Sequence, residues 1–393
     1  MTALGIVLAT LCALWFVQAA LTITHLIEIR TLARLSPPEP RSWPRVSTIV
    51  PARNEARSIA AALETRLTDD YPDLELVVVD DRSNDETPRI VATLAGRDRR
   101  LRVIRLDELP EGWLGKLNAL EHGVREATGP WLLISDADIH LERGTLRRAV
   151  AHCEAEGLDF LALVPEFRSR SIAVNVLWST FIRVLAMALS PAGVRNPRSK
   201  VAAGSGSFML VRRSVYSASP GFEHLRMETG DDMAFGAMIK RAGGRCDFMN
   251  GRDAAWLPSY ASIREFYAGV EKNGGTFAGT PFPLVLAVIV AAGILEYSPL
   301  LALGVGYATD TGWLALLGGL TTVVATGTAC AACQVNTGGI APALLWPLGW
   351  LGMASGVARA ALLARKRGGV DWRGTFYFYT TEQLDHGRRF KLF

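Results

Sequence analysis

The chain changes its hydrophobic rhythm twice. From Ala3 to Ile27 nearly every position is apolar, a run of about 25 residues that is long enough, at about 1.5 Å per residue, to cross a hydrocarbon layer of roughly 30 Å. From Val46 onward short β-branched runs alternate with helical spacing. Strands are predicted at Val46 to Val50, Leu74 to Val79, Leu101 to Leu106, Trp131 to Ile134 and Phe208 to Val211. Helices are predicted at Ser58 to Leu67, where Ile59, Leu63 and Leu67 recur every fourth position, at Thr87 to Leu94 and at Lys116 to Ala127. This βα alternation predicts a mainly parallel, doubly wound sheet. Near Pro283 the continuous apolar pattern returns in three stretches, Pro283 to about Ala308, Trp313 to Cys333 and Ile340 to Ala364.

The expected organisation is an N-terminal transmembrane helix (1–30), an α/β domain (41–280), a C-terminal transmembrane bundle of about three apolar segments (283–364) and a basic, aromatic tail (365–393). The first run is read as a span and not a signal peptide, because no Lys or Arg precedes it and no small-residue exit follows it. Arg30, Arg34, Arg41 and Arg45 follow it closely, which by the positive-inside tendency puts the α/β domain in the cytoplasm. The tail conflicts with that. Arg365, Lys366, Arg367 and Arg373 also favour the cytoplasm, whereas three further spans would carry them across. Glu296, costly in lipid, makes the first C-terminal stretch the suspected non-spanning one. Inside the α/β domain, Ser171 to Leu189 (the interfacial helix, about 171–190) is amphipathic, with Asn175 and Arg183 among Ile172, Val176, Ile182, Leu185 and Leu189. It is expected to lie in the membrane interface, the alternative being an ordinary core helix.

Composition narrows the class. A hydrophobic fraction of 49% with 20% charged residues fits a globular domain joined to membrane segments, and excludes disordered, collagen-like and small disulfide-stapled chains. Forty-two basic against 38 acidic residues, net +4, gives no nucleic-acid footprint. Cys12, Cys153, Cys246, Cys330 and Cys333 make no disulfide framework, and Cys330-x-x-Cys333 reads as small packing residues. The six histidines show no metal spacing.

The chemistry gathers at predicted strand ends, where a doubly wound sheet binds ligands. Pro51-Ala52-Arg53-Asn54-Glu55 follows the first strand, Asp80 to Asp85 the second, and Ser135-Asp136-Ala137-Asp138 the strand Trp131 to Ile134. Carboxylates on turns often only cap helices, so each cluster alone says little. Together they describe one site: Asp136 and Asp138 can hold Mg²⁺ through oxygen while leaving positions for a diphosphate, and Asp80 and Asp81 can accept hydrogen bonds from a ribose or base. Asp231 and Asp232 open a predicted helix, where the dipole favours carboxylates. The glycine-rich Ala203 to Ser207 is either a plain turn or a place of close sugar approach.

In this order Val-Val-Val-Asp80-Asp81, Gly115-Lys116, Asp136-Ala137-Asp138 and Gly230-Asp231-Asp232 resemble the GT-A (Rossmann-like) glycosyltransferases of family 2, over about Val46 to Lys272. The chain is most similar to the membrane-anchored branch that glycosylates lipids, such as ceramide glucosyltransferases and carotenoid and hopene-associated glycosyltransferases. Its Trp372-Arg373-Gly374-Thr375-Phe376-Tyr377 resembles an element near the end of that branch. The resemblance implies that Pro51, Arg53, Asn54 and Glu55 line the nucleotide pocket. It implies further that Asp80 and Asp81 belong to that pocket, with Asp81 touching uracil or ribose, and that Lys116 approaches the nucleotide or its phosphates. Asp138, assisted by Asp136, is implied to hold Mg²⁺ or Mn²⁺, and Asp232 to act as general base, with Asp231 standing where the family has Glu. The Arg-Trp element of processive and ceramide enzymes is missing; Ser262 to Tyr267 occupies its neighbourhood.

The implied activity is inverting transfer of one sugar from a nucleotide-sugar, expected to be a UDP-sugar, to the hydroxyl of a membrane lipid at the cytoplasmic face of a bacterial inner (plasma) membrane. A polyprenyl-phosphate acceptor, suggested by Arg195, Arg198 and Lys200, and a non-catalytic nucleotide-binding scaffold are the alternatives.

Overall fold

The computed structural model describes residues 3–271, 280–336, 339, 341–372 and 375–378. The chain forms two compact units, Ile29–Arg168 with Pro191–Pro258, and Met1–Glu28 with Ser169–Ser190 and Ser259–Phe393.

The first unit is built on a sheet whose central strands are buried on both faces. β1 (Val46–Ala52) and β2 (Leu74–Asp81) pair in parallel, and β3 (Leu101–Leu106) and β4 (Trp131–Ile134) join them in parallel on either side. The pleat sends alternate residues of β2 to opposite cores. Leu76 and Val78 meet Ile59, Leu63 and Val91, while Val77 and Val79 meet Ala119 of helix Gly115–Glu126. That helix lies close: a Cβ on Gly123 would come within 2.4 Å of the Ile49 side chain.

Two short strands, β5 (His140–Leu141) and β7 (Glu166–Arg168), flank β6 (Phe160–Val164) in the chain. They are followed by β8 (Met209–Arg212), β9 (Cys246–Asn250) and β10 (Ala255–Pro258). The sheet order is β3-β2-β1-β4-β8-β6-β9, and β8 alone runs antiparallel to its neighbours. The order reverses between β1 and β4, so their C-terminal loops diverge and leave a crevice, the place where open α/β sheets bind ligands. A small second sheet, β5-β10-β7, follows the loop after β4.

The second unit is helical. Among the described residues three helices are long and apolar enough to cross a membrane: Ala3–Glu28, Phe282–Ala308 and Gly312–Val335. The last two cross where glycine removes the side chain, since a Cβ on Gly306 or Gly318 would lie 2.2 Å from the partner's backbone nitrogen. The stretch suspected of not spanning is one of the three. Helix Phe282–Ala308 is long and apolar enough despite Glu296, whose carboxylate accepts a hydrogen bond from Arg183, both side chains being buried. It is Trp346–Arg367, carrying Arg359, Arg365, Lys366 and Arg367, that falls outside the three.

The amphipathic segment forms helix Ile172–Ala188, which belongs to the unit of apolar helices. Its Val174, Val176, Leu177, Ile182 and Arg183 are buried, and Leu189 just beyond is buried too. Its exposed large apolar residues are Ile172, Val184 and Met187. Two strands, Gly369–Trp372 and Thr375–Phe378, pair antiparallel after the last helix. Arg373 and Gly374 of the tail element, Lys272 and residues 379–393 of the tail lie outside the described residues.

Candidate active site

The loop after β1 and the loop after β2 are knitted together. The Asn54 amide donates to Ser83 Oγ at 3.0 Å, the Asn84 amide to Asn54 Oδ1 at 3.0 Å, and the Glu55 amide to Thr87 Oγ1 at 2.8 Å. Asn54 and Arg82 take positive φ, 53° and 57°, a left-handed turn that most side chains avoid. Those turns bring Arg53 and Arg82 onto Asp81. The Arg82 guanidinium grips the carboxylate with both arms, at 2.7 and 3.1 Å, and Arg53 stands 3.7 Å away. Asp80 is 1% exposed; its Oδ1 closes the turn by accepting from the Ser83 amide at 3.2 Å. Pro51, in β1, is partly buried beneath these loops, and the Glu55 carboxylate accepts from Ser58 Oγ at 3.0 Å.

A second cluster forms after β4. Lys116, in the first turn of helix Gly115–Glu126, reaches Asp136 Oδ1 at 2.8 Å and Asp231 Oδ2 at 2.9 Å. Burial by itself would lower its pKa, but Asp136, Asp231 and Asp232 together hold it well above the ordinary lysine value. Asp232, next to Asp231 in the first turn of helix Asp231–Arg241, accepts from the Gly206 amide at 3.3 Å and from the Met233 amide at 2.8 Å. The start of a helix, with its unpaired amides and dipole, favours carboxylates at both positions, and it brings them beside Lys116.

Sequence reasoning missed Arg66. It lies on the face of helix Ile59–Leu67 that is otherwise apolar, and it is 1% exposed. Its guanidinium donates to Ser135 Oγ and to the Asp136 carbonyl at 2.8 Å each, and to the Ile139 carbonyl. It therefore fixes the backbone that carries Asp136 and Asp138. Burial drops its pKa to about 10, with Asp138 and Asp136 opposing the drop, so it remains a cation at neutral pH. The glycine-rich segment also gains a reason. A Cβ on Gly204 would lie 1.9 Å from the Asp232 carbonyl oxygen, and one on Gly236 2.1 Å from that of Ala203. These glycines let helix Asp231–Arg241 pack backbone to backbone against the segment entering β8.

The structure thus brings Lys116, Asp136, Asp231 and Asp232 into one cluster, and Arg53, Asn54, Asp81 and Arg82 into another. Asp138 lies half-buried two residues beyond Asp136. Among the described residues no group of three His, Cys, Asp or Glu side chains forms a closed metal cage. Asp136 and Asp138 fit a hard divalent ion by donor chemistry, offering oxygen alone on a braced loop, and leave most of its ligands to come from elsewhere.

Residues 47–219 match the family described as Glycosyl transferase family 2. The chain is 37% identical over 123 residues to the succinoglycan biosynthesis protein ExoO of Rhizobium meliloti, covering 31% of this chain and 34% of that one. It is 29% identical over 146 residues to the beta-monoglucosyldiacylglycerol synthase of a Synechocystis species, covering 35% and 30%. The chain thus spans about a third of the length of these relatives. Its fold is similar to that of the mannosyltransferase PcManGT of Pyrobaculum calidifontis, solved with GDP-Man and Mn²⁺. The TM-score is 0.53 at 20% identity over 91% of this chain and 99% of that one. The sheet with its two strand-end clusters, read with these matches, makes residues 47–219 a family 2 glycosyltransferase domain of the GT-A fold.

Proposed function

We propose that the protein transfers one sugar, with inversion, from a nucleotide-sugar, expected to be a UDP-sugar, to the hydroxyl of a membrane lipid. The observation that carries this is the convergence of Lys116, Asp136, Asp231 and Asp232 beside the topological switch point, in a chain with three candidate spans. Arg53 and Asp81 border the place for the nucleoside, with Pro51, Asn54, Glu55 and Asp80 shaping the loops beneath it. Asp136 and Asp138 would hold Mg²⁺ or Mn²⁺, which offsets the charge of the departing diphosphate. Asp232 takes the proton of the acceptor hydroxyl as it attacks the anomeric carbon opposite the leaving group, so the configuration inverts. The Gly206 amide fixes the carboxylate for that transfer.

A lipid hydroxyl is favoured over a polyprenyl phosphate because Arg195, a cation counted toward a phosphate, stands 3.5 Å from Asp247. The Synechocystis relative is a glucosyldiacylglycerol synthase, in keeping with a lipid acceptor. On the reading that one span precedes residue 29 and two follow residue 281, the chain returns to the side of Arg30 and Arg34, and Arg365, Lys366 and Arg367 share that side. The positive-inside tendency then makes that side the cytoplasm of an integral membrane protein. The test is purified full-length protein in lipid nanodiscs supplied with labelled UDP-sugars and Mn²⁺. Label should become extractable into organic solvent with the parent and not with Asp232→Asn. Label released only as free sugar would rule out a lipid acceptor.

A further inference from the structure

Asp136 and Asp231 share the Lys116 ammonium, which holds an oxygen of each at 2.8 and 2.9 Å. Asp232 adds a further negative charge beside it, so carboxylates outnumber the ammonium. The position of this lysine is unusual on its own helix. It lies in the first turn, where the dipole disfavours a cation, and the carboxylates compensate for that. Its stem is long and rotatable, and glycine at 206 lets the backbone lie against the pair, since a Cβ there would sit 3.0 Å from both Lys116 Nζ and Asp136 Oδ2. A divalent ion on Asp136 would meet the ammonium at short range, and like charges at that distance repel strongly. A diphosphate arriving with the ion changes the sum. It offers the ammonium anionic oxygens of its own, close to a helix N-terminus that already favours phosphate.

We propose that Lys116 is a resident cation: in the donor-free protein it occupies the charge position between Asp136 and Asp231, keeps a divalent ion off Asp136, and leaves only when a diphosphate draws it away, so that metal and donor bind as one unit. This rests on the nucleotide-sugar reading above, and it adds an order of binding to it. The site stays closed to stray divalent ions, and the charge of the carboxylates beside Asp232 stays partly offset, until a donor arrives.

The experiment measures Mn²⁺ binding to the full-length protein in detergent, by the paramagnetic resonance signal of the free ion, with and without UDP. Parent, Lys116→Gln and Lys116→Arg are compared. Without UDP, Lys116→Gln should bind Mn²⁺ tighter than the parent by about ten- to a hundredfold, the worth of a hydrogen bond to a charged group, and Lys116→Arg should stay close to the parent. UDP should tighten Mn²⁺ binding in the parent by a larger factor than in Lys116→Gln. Removing the ammonium leaves the carboxylates to repel, so Mn²⁺ alone should also raise the melting temperature of Lys116→Gln more than that of the parent. Equal Mn²⁺ affinity of parent and Lys116→Gln without UDP overturns the resident cation, whatever UDP does. Tighter Mn²⁺ in Lys116→Gln with no effect of UDP on the parent overturns instead the donor reading and the coupling built on it.

Discussion

Two clusters of cation and carboxylate, one in each unit, are built on different charge ratios. In the helical unit Arg183 and Glu296 meet one to one, with side chains 4% and 5% exposed. The Arg183 guanidinium also lies over the rings of Trp15 and Trp346, at 5.4 and 5.9 Å. Everything it can satisfy is already there. In the glycosyltransferase domain Lys116 is shared by Asp136 and Asp231, with side chains 24%, 37% and 15% exposed, and Asp232 stands beside them. A balanced, sealed pair is architecture. An unbalanced, half-open one leaves negative charge within reach of solvent, which the sealed pair does not.

The comparison is broken most sharply at Asp232. If its carboxylate is a base, Asp232→Asn should lower the turnover rate by about 10²–10⁴-fold and leave UDP affinity within a few-fold of the parent. Transfer retained within a few-fold would remove Asp232 from the chemistry. At the other cluster the expectation concerns folding and not rate. Arg183→Met leaves Glu296 buried alone and should cost about 3–5 kcal/mol, whereas Arg183→Met with Glu296→Leu should come back close to the parent. Thermal unfolding in detergent measures both, and a double variant as unstable as the single one would show that the pair does more than balance itself.

Asp69 supplies a third ratio, a carboxylate 4% exposed whose Oδ1 has no hydrogen-bond partner among the described residues. Burial pushes its pKa up to about 6, with Asp70 adding to the rise and the Leu146 amide opposing it. Because the folded value exceeds the unfolded one, the folded state binds the extra proton, so stability falls as pH rises from about 4 to about 6 and stays reduced above that. Asp69→Asn should then raise stability by about 2 kcal/mol at pH 7.5 and by little near pH 4, read as melting temperature against pH. The smallest effect is expected at Asp138. Asp138→Ala should reduce the Mn²⁺-dependent gain in UDP affinity by about tenfold, since one carboxylate holds a hydrated ion weakly. Calorimetric titration of UDP with and without Mn²⁺ checks this, and an equal gain in variant and parent would take Asp138 out of the metal site.

How much of this was legible in the sequence follows from the range of each interaction. The strands were legible because burial on both faces requires continuous β-branched runs, as in Leu74 to Val79. Asp136 and Asp138 were legible as a pair because they stand on one turn. Arg66 was not, because an arginine on an apolar helix face reads as a surface residue unless the carbonyls it braces, some 70 positions later, are known. The segment holding Gly204 was read as a turn or a place of close sugar approach, and the approach of two backbones at Gly204 and Gly236 was not foreseen. The partner of Glu296 was hidden for the same reason. Glu296 seen alone argues against a span, and its partner lies on a helix the sequence had assigned to the globular domain.

That pairing also has a history in time. Arg183 precedes Glu296 by 113 residues, so a ribosome adding roughly 5–20 residues per second makes the cation roughly 6–23 s before its counter-ion. Throughout that interval the nascent helix Ile172–Ala188 carries a charge that no later helix can yet neutralise, and it has to wait in a polar environment or in the care of the insertion machinery. The birth of helix Phe282–Ala308 is therefore the event that lets the earlier helix settle, and a chain halted by a stop codon before Glu296 should leave the segment around Arg183 open to protease.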